Sequence, residues 1–188
     1  MMPQISVSRS GSGPLALYQA LSKIRRAEVL VGVSQKDTQR RGTPITNASL
    51  VYIHTHGSPA RNIPARPIIE PAIEASGNRE VIAEHLGKAA KAWLDKDPRL
   101  ATVELNRAGM AGQNAAKGWF TDPRNRWAEE KRATVLAKLR RLRGKRLRAA
   151  KAAIAGMDTI GYIPGINEIL VDTGAMKKAI KYIVRENA

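Results

Sequence analysis

The sequence predicts an α+β fold, with a small antiparallel sheet packed against several helices in a single domain spanning residues 1–188. Two periodicities support this fold class. Ala27–Val33 (AEVLVGV) is rich in β-branched residues, as strands are. Residues 78–95 instead repeat apolar side chains at spacings of three and four, which is typical of an amphipathic helix. At 188 residues the chain is also long enough to bury a core.

The N-terminal region is predicted to contain a strand and a helix before Ala27–Val33. Residues 4–9 alternate apolar and polar side chains, which favours a half-buried strand. A glycine-containing turn at residues 11–13 precedes a helix over 14–24. Residues 34–46 are polar and indicate an exposed loop.

A short helix over residues 48–56 precedes a proline-rich stretch. Asn47 is its predicted N-cap, and Gly57 is predicted to end it in the left-handed conformation. Residues 57–67 contain prolines at positions 59, 64 and 67, and proline fixes φ and biases the preceding residue towards extended geometry. We therefore expect a stiff, extended arm over residues 57–67.

The rest of the chain is predicted to be mainly helical. Pro67 can open a helix that Pro71 ends or kinks, and longer helices follow over 78–95, 100–118 and 127–155. Residues 156–169 indicate a loop. The chain then ends in a turn at Asp172, Thr173 and Gly174, capped by the Asp172 side chain, and in a final strand over Ala179–Val184.

Positive charge is the main functional signal in the composition. The chain has 32 Lys and Arg against 16 Asp and Glu, and the stretch from Lys131 to Lys151 carries ten cations and no acid. Such a helix suits electrostatic contact with DNA phosphates or with an acidic protein. A solvated, charge-rich helix is the alternative. The candidate contact residues are Arg140, Arg141, Arg143, Lys145, Arg146 and Arg148.

No catalytic, cofactor or metal site is predicted. His54 and His56 lie two residues apart without an accompanying acid, whereas helical zinc sites use spacings of three or four. Asp172-Thr173-Gly174 matches the aspartic-protease triplet, but that chemistry needs two carboxylates and one copy is present. The sequence also has no cysteine and no apolar run of the roughly 20 residues that a membrane span needs. We therefore expect neither an enzyme nor a membrane protein.

Two segments resemble the signature of the virion-morphogenesis proteins of tailed bacteriophages, which are tail-completion or neck proteins. The first segment is Ile45-Thr46-Asn47-Ala48, with Tyr52–Pro59 and Ile63–Ile69 after it, and the second is Leu170–Ile180 (LVDTGAMKKAI). Their order and the C-terminal position of the second segment agree with the family. The chain departs from the family pattern at Thr55-His56, where Glu-Phe is usual, and at Ile68-Ile69, where Phe-Leu is usual.

The resemblance implies a structural subunit of the phage neck. Such subunits form a ring, here expected to be a hexamer, that joins the DNA-filled head to the tail and surrounds the DNA passage. Partners would be the other subunits, the head–tail connector or adaptor proteins, and the tail tube or tail terminator, with possible non-specific contact with genomic DNA. The protein would be made in the host bacterial cytoplasm and reside in the virion.

The arm is the predicted subunit interface, on the basis of its prolines and of the resemblance. An arm folded back on its own core is the alternative. The predicted interface residues are Asn47, His54, Gly57, Pro59, Arg61, Ile63, Pro64, Arg66 and Pro67. For the basic helix, DNA must slide through a neck, which favours an acidic protein partner slightly over DNA. The competing function is a free, sequence-independent nucleic-acid-binding protein.

Overall fold

The structure is a computed structural model that describes residues 14–34, 39–40, 43–140, 142–161, 163, 168–171 and 174–186. The predicted strand at 4–9 and turn at 11–13 lie outside the described residues, as do Arg141, Asp172 and Thr173.

The described residues form eight α-helices and four strands, which confirms the α+β fold. In chain order the elements are α1 (Pro14–Arg26), β1 (Ala27–Val33), α2 (Asn47–His56), α3 (Ile69–Glu74), α4 (Asn78–Leu94), α5 (Pro98–Gly118), β2 (Glu130–Lys131), α6 (Arg132–Leu139), α7 (Gly144–Ala153), β3 (Thr159–Ile160), α8 (Ala175–Ala179) and β4 (Ile180–Glu186). Short 3-10 turns lie at Pro59–Arg61, Trp119–Thr121 and Pro123–Asn125.

The main sheet pairs a strand from the N-terminal part of the chain with the last strand. Strands β1 and β4 pair antiparallel, with Val33 opposite Ile180. One face of this sheet packs on α5, where Gly109 leaves room for the Tyr182 ring. A Cβ at position 109 would lie 2.2 Å from that ring, so the close approach requires glycine.

Two buried clusters fill the main body. The larger one unites distant parts of the chain and consists of Ile68, Ala72, Ala116, Trp119, Phe120, Trp127, Ile169, Met176 and Ile180. The second lies between α4 and α5 and is built on small residues and Trp93. Asp97 accepts a hydrogen bond from the Leu100 amide and so caps α5, which places Pro98 in the first helical turn.

The predicted continuous helix over 127–155 was wrong, because the chain forms two shorter helices there. The indole of Trp127 is buried and donates to the Pro67 carbonyl (3.1 Å), and the first helix of this region begins only at Arg132. Strand β2 then pairs with β3, and α6 ends before Leu142. Gly144 begins α7 with a positive φ of 59°, a conformation that costs glycine little.

The segment between β2 and β3 has a small core of its own. We call residues 130–160 the basic lobe. Its buried side chains are Val135, Leu139, Ala150, Ile154 and Ile160. The two helices of the lobe are therefore held against each other and against β3 by apolar packing, and their cations other than Lys138 are exposed.

Candidate functional site

Helix α2 ends at His56 as predicted, but its N-cap and the conformation of Gly57 differ from the prediction. Its N-cap is Thr46, whose hydroxyl accepts from the Ser49 amide at 3.0 Å, whereas the predicted cap Asn47 lies within the first turn and is buried. Gly57 ends the helix with φ of 74°, but its ψ of −179° lies outside the left-handed helical region. This backbone conformation is essentially restricted to glycine.

The first half of the predicted arm is a closed loop. Ser58 and Ile63 exchange backbone hydrogen bonds of 2.8 and 3.0 Å around a 3-10 turn, and Asn62 adopts a left-handed conformation. The expectation of an extended arm was therefore wrong for residues 58–63. The φ that proline imposes suits a 3-10 turn as well as extended chain, so Pro59 did not exclude this turn. We call residues 57–64 the arm loop.

The second half of the arm runs without helix or strand and docks on its own chain. Arg66 is buried, and its guanidinium donates to the Ala128 carbonyl (3.0 Å from Nε, 2.5 Å from Nη2) and to the Glu129 carbonyl (3.0 Å). The backbone amide of Arg66 donates to the His54 carbonyl, and the Pro67 carbonyl accepts from Trp127. Arg66 and Pro67 therefore act within the subunit.

The predicted interface residues accordingly fall into two groups. Asn47 and Arg66 are buried inside the subunit, and His54, Gly57, Ile63 and Pro67 are partly buried. Pro59, Arg61 and Pro64 are exposed on the arm loop and remain free to meet a neighbour.

A buried ion pair lies where the arm meets the basic lobe. Lys138 Nζ is 2.7 Å from one Glu130 carboxylate oxygen and 2.8 Å from the other. Lys138 also donates to the Glu168 carbonyl (2.8 Å), and the Leu170 amide donates to Glu130 (3.3 Å). These bonds connect the lobe to the chain that leads into α8.

His54 faces this charged cluster from α2. Burial lowers the pKa of His54, the nearby positive charges of Arg66 and Lys138 lower it further, and Glu130 opposes them. Its Nδ1 atom is buried without a hydrogen-bond partner among the described residues. These effects favour the neutral form of His54 in the folded chain. Burial also lowers the pKa of Arg66, with Glu130 opposing the shift.

A cleft of about 530 Å³ opens between the arm loop and the basic lobe. Arg61, Pro64, Lys131 and Thr134 are among the residues that line it, and so are both members of the Glu130–Lys138 pair. Among the described residues, no group of three or more His, Cys, Asp or Glu side chains is placed to hold a metal ion.

The described cations of the basic lobe divide into one largely buried and several exposed side chains. Lys138 forms an ion pair with Glu130. The exposed ones are Lys131, Arg132, Arg140, Arg143, Lys145, Arg146, Arg148 and Lys151. None of these exposed side chains forms an ion pair with a carboxylate among the described residues, so the predicted electrostatic residues other than Arg141 are placed in solvent.

The two segments that carry the phage resemblance meet in the fold. Helix α2 packs against α8, and Ile68 shares a buried cluster with Met176 and Ile180. Gly174 precedes α8 with φ of 73°.

Sequence reasoning missed Trp127 as a partner of the arm, and it missed the Glu130–Lys138 pair. One signal was available: Glu130 is the last acidic residue before the cation-rich run, so a pairing with one of those cations was the natural expectation.

Comparisons with known proteins add no relative, since no family model, no curated protein and no solved structure matches the chain. No helix in the described part of the chain combines the length and apolar character that a membrane crossing requires.

Proposed function

We propose that this chain is a structural subunit of the neck of a tailed bacteriophage, where it assembles into a ring between head and tail. The observation that carries the proposal is the packing of the two resembling segments into one unit, with Ile68, Met176 and Ile180 in a common core. Segments distant in sequence that share one family signature are expected to build one structural element, and this packing supports that expectation.

The arm loop supplies a suitable interface. Its backbone is closed by the Ser58–Ile63 bonds and its exposed prolines cannot change φ, so docking on a neighbour would order little additional chain. A ring also needs a second, different surface on each subunit, because its contacts are head-to-tail. Helix α1 offers one, with Leu15, Tyr18 and Leu21 exposed on one side.

The ring is tested with the purified chain by light scattering and electron microscopy. We expect ring particles of about six times the 20.5 kDa subunit mass. The double variant Arg61→Glu/Pro64→Gly should leave the subunit folded and shift it towards the monomer. The control Arg79→Glu, on the exposed surface of α4, has the same charge change as Arg61→Glu and should assemble normally.

The competing function is a free, sequence-independent nucleic-acid-binding protein, favoured by the exposed cations of the basic lobe. A chain that stays monomeric at every concentration and binds DNA as a monomer would favour that function over the ring. Rings that persist unchanged in the Arg61→Glu/Pro64→Gly variant would instead remove the arm loop from the interface.

A further inference from the structure

We infer that the exposed face of α7 in the basic lobe is a binding surface for the phosphate backbone of double-stranded nucleic acid. The surface is centred on Lys145, Arg148 and Lys151. Its binding would be independent of base sequence. This inference goes beyond the ring and holds whether the chain acts as a ring subunit or alone.

The three central cations lie in one row. Positions 145, 148 and 151 are spaced by three residues, which places their side chains on the same side of a helix at steps of about 4.5 Å along its axis. Leu147, Ala150 and Ile154 lie on the opposite side, against the core of the lobe. The lobe therefore holds the helix by one face and presents the row of cations on the other.

These cations are uncompensated within the described chain. Elsewhere in the molecule several exposed cations have a carboxylate partner, such as Lys88 with Glu84 and Arg185 with Glu28. The residues from 131 to 151 include no acid, and the nearest one, Glu130, is already paired with Lys138. Like charges held this close repel one another, and an external polyanion relieves that repulsion.

The composition of the exposed surface selects nucleic acid over protein. Protein interfaces depend on apolar or aromatic anchors at their centre. No large apolar side chain of α7 is exposed, and the uncharged exposed positions of this helix are Gly144, Ala149, Ala152 and Ala153. The exposed Met157 of the lobe lies beyond the end of the helix. Phosphate contacts need cations and no such anchor.

A membrane surface is disfavoured by the same observation. A basic helix that lies in a lipid interface inserts Trp, Phe or Leu below the headgroups. The apolar side chain of Leu147 in α7 instead packs in the core of the lobe.

DNA that passes through a neck must slide. Exposed lysine and arginine side chains that contact only phosphates allow nucleic acid to slide, so this requirement does not exclude DNA as the partner.

The test is fluorescence anisotropy with the full chain and a labelled 30-base-pair duplex of arbitrary sequence, repeated across salt concentrations. Two triple variants remove lobe cations: Lys145→Gln/Arg148→Gln/Lys151→Gln and Arg140→Gln/Arg143→Gln/Arg146→Gln. The first should weaken binding on the order of a hundredfold at 0.1 M salt, because each lost phosphate contact reduces the log–log salt slope by about 0.9. The second should weaken binding in the same direction.

The matched control is Arg25→Gln/Arg79→Gln/Arg99→Gln, which removes the same charge from exposed helical positions of the main body. It should change affinity less than about threefold and leave the salt slope nearly unaltered. An equal loss in the control and the lobe variants would overturn the site, since net charge alone would explain it. Binding to poly-glutamate or to phosphatidylglycerol vesicles without binding to the duplex would also overturn it, in favour of a protein or a membrane partner. Circular dichroism confirms that each variant is folded. If the first triple variant is not folded, the double variant Lys145→Gln/Arg148→Gln decides the question, because it still removes two cations of the row.

Discussion

Lys138 Nζ lies 2.7 Å from Oε1 of Glu130, and the two side chains are only 13% and 4% exposed. Charges this well shielded are stabilised by each other and by the backbone groups of residues 168 and 170 that bond to them. The pair therefore links the basic lobe to residues 168 and 170, which precede α8. Because its charge is neutralised by Glu130, Lys138 is not counted among the exposed cations of the lobe.

Replacing Lys138 with Met should lower the free energy of unfolding by about 3–5 kcal/mol, because Glu130 would remain buried without its cation. Urea denaturation measures this change. The double variant Glu130→Gln/Lys138→Met should recover part of the loss, since no buried charge is left unpaired. Lys145→Met, at an exposed position of the same lobe, is the control and should stay within about 0.5 kcal/mol of the parent. An equal loss in the Lys145 variant would contradict the special role of the pair.

Arg66→Lys should destabilise the subunit although it keeps the charge. A lysine cannot reproduce the fork that bonds the Ala128 and Glu129 carbonyls, so at least one buried acceptor loses its donor, at a cost of about 1–3 kcal/mol. Thermal unfolding measures the effect. Arg61→Lys, on the exposed part of the arm loop, should leave stability unchanged. Equal stability of the two variants would show that the Arg66 contacts contribute little.

The regular elements were the predictable part of this fold. The β-branched run gave β1 its observed bounds, Ala27–Val33, and the apolar repeat over 78–95 matched α4. Both depend on local patterns, which a sequence displays directly. The N-cap prediction failed locally, because Thr46 and Asn47 are both good caps and adjacent.

The failures elsewhere come from contacts between distant residues. The start of the 127–155 region is not helical, and there Trp127 bonds to Pro67 and β2 pairs with β3, contacts that no local pattern encodes. The break between α6 and α7 lies at Gly144, whose φ is 59°. The candidate site also depends on a contact between distant residues, because the guanidinium of Arg66 donates to the carbonyls of Ala128 and Glu129, more than 60 residues along the chain. The exposed cations were predictable, because a run without acids leaves few local partners.

Gly57→Ala should be strongly destabilising. Gly57 has a φ of 74°, and an added Cβ would lie 2.9 Å from both the Ala65 nitrogen and the Ile63 oxygen, which are backbone atoms that cannot move independently. The expected loss is about 1–3 kcal/mol or more, measured by urea denaturation. Gly87→Ala is the matched control, since a Cβ there meets nothing within 4 Å. Within α4 it should stabilise by about 0.5–1 kcal/mol. A neutral Gly57→Ala would mean that the arm loop adapts.

His54 should make stability depend on pH between neutral and mildly acidic conditions. Its pKa is lowered in the folded chain by burial first and then by the charges of Arg66 and Lys138, whereas the unfolded chain titrates near the ordinary value of about 6.5. Below about pH 6.5 the unfolded state therefore binds more protons than the folded state. The free energy of unfolding should decrease as the pH is lowered from about 6.5, until the pH passes below the folded-state pKa of His54. Urea denaturation between about pH 5 and 7.5 measures this slope. Two carboxyl groups also have lowered pKa values: that of Glu104 through its hydrogen bond with His85, and that of Asp122 through its hydrogen bond with Arg124. Their protonation affects stability only in more acidic solution, so it does not obscure the effect of His54. His54→Gln should flatten the dependence, whereas His56→Gln, two residues along α2 and exposed, should retain it. A slope that survives in the His54 variant would assign it to another group.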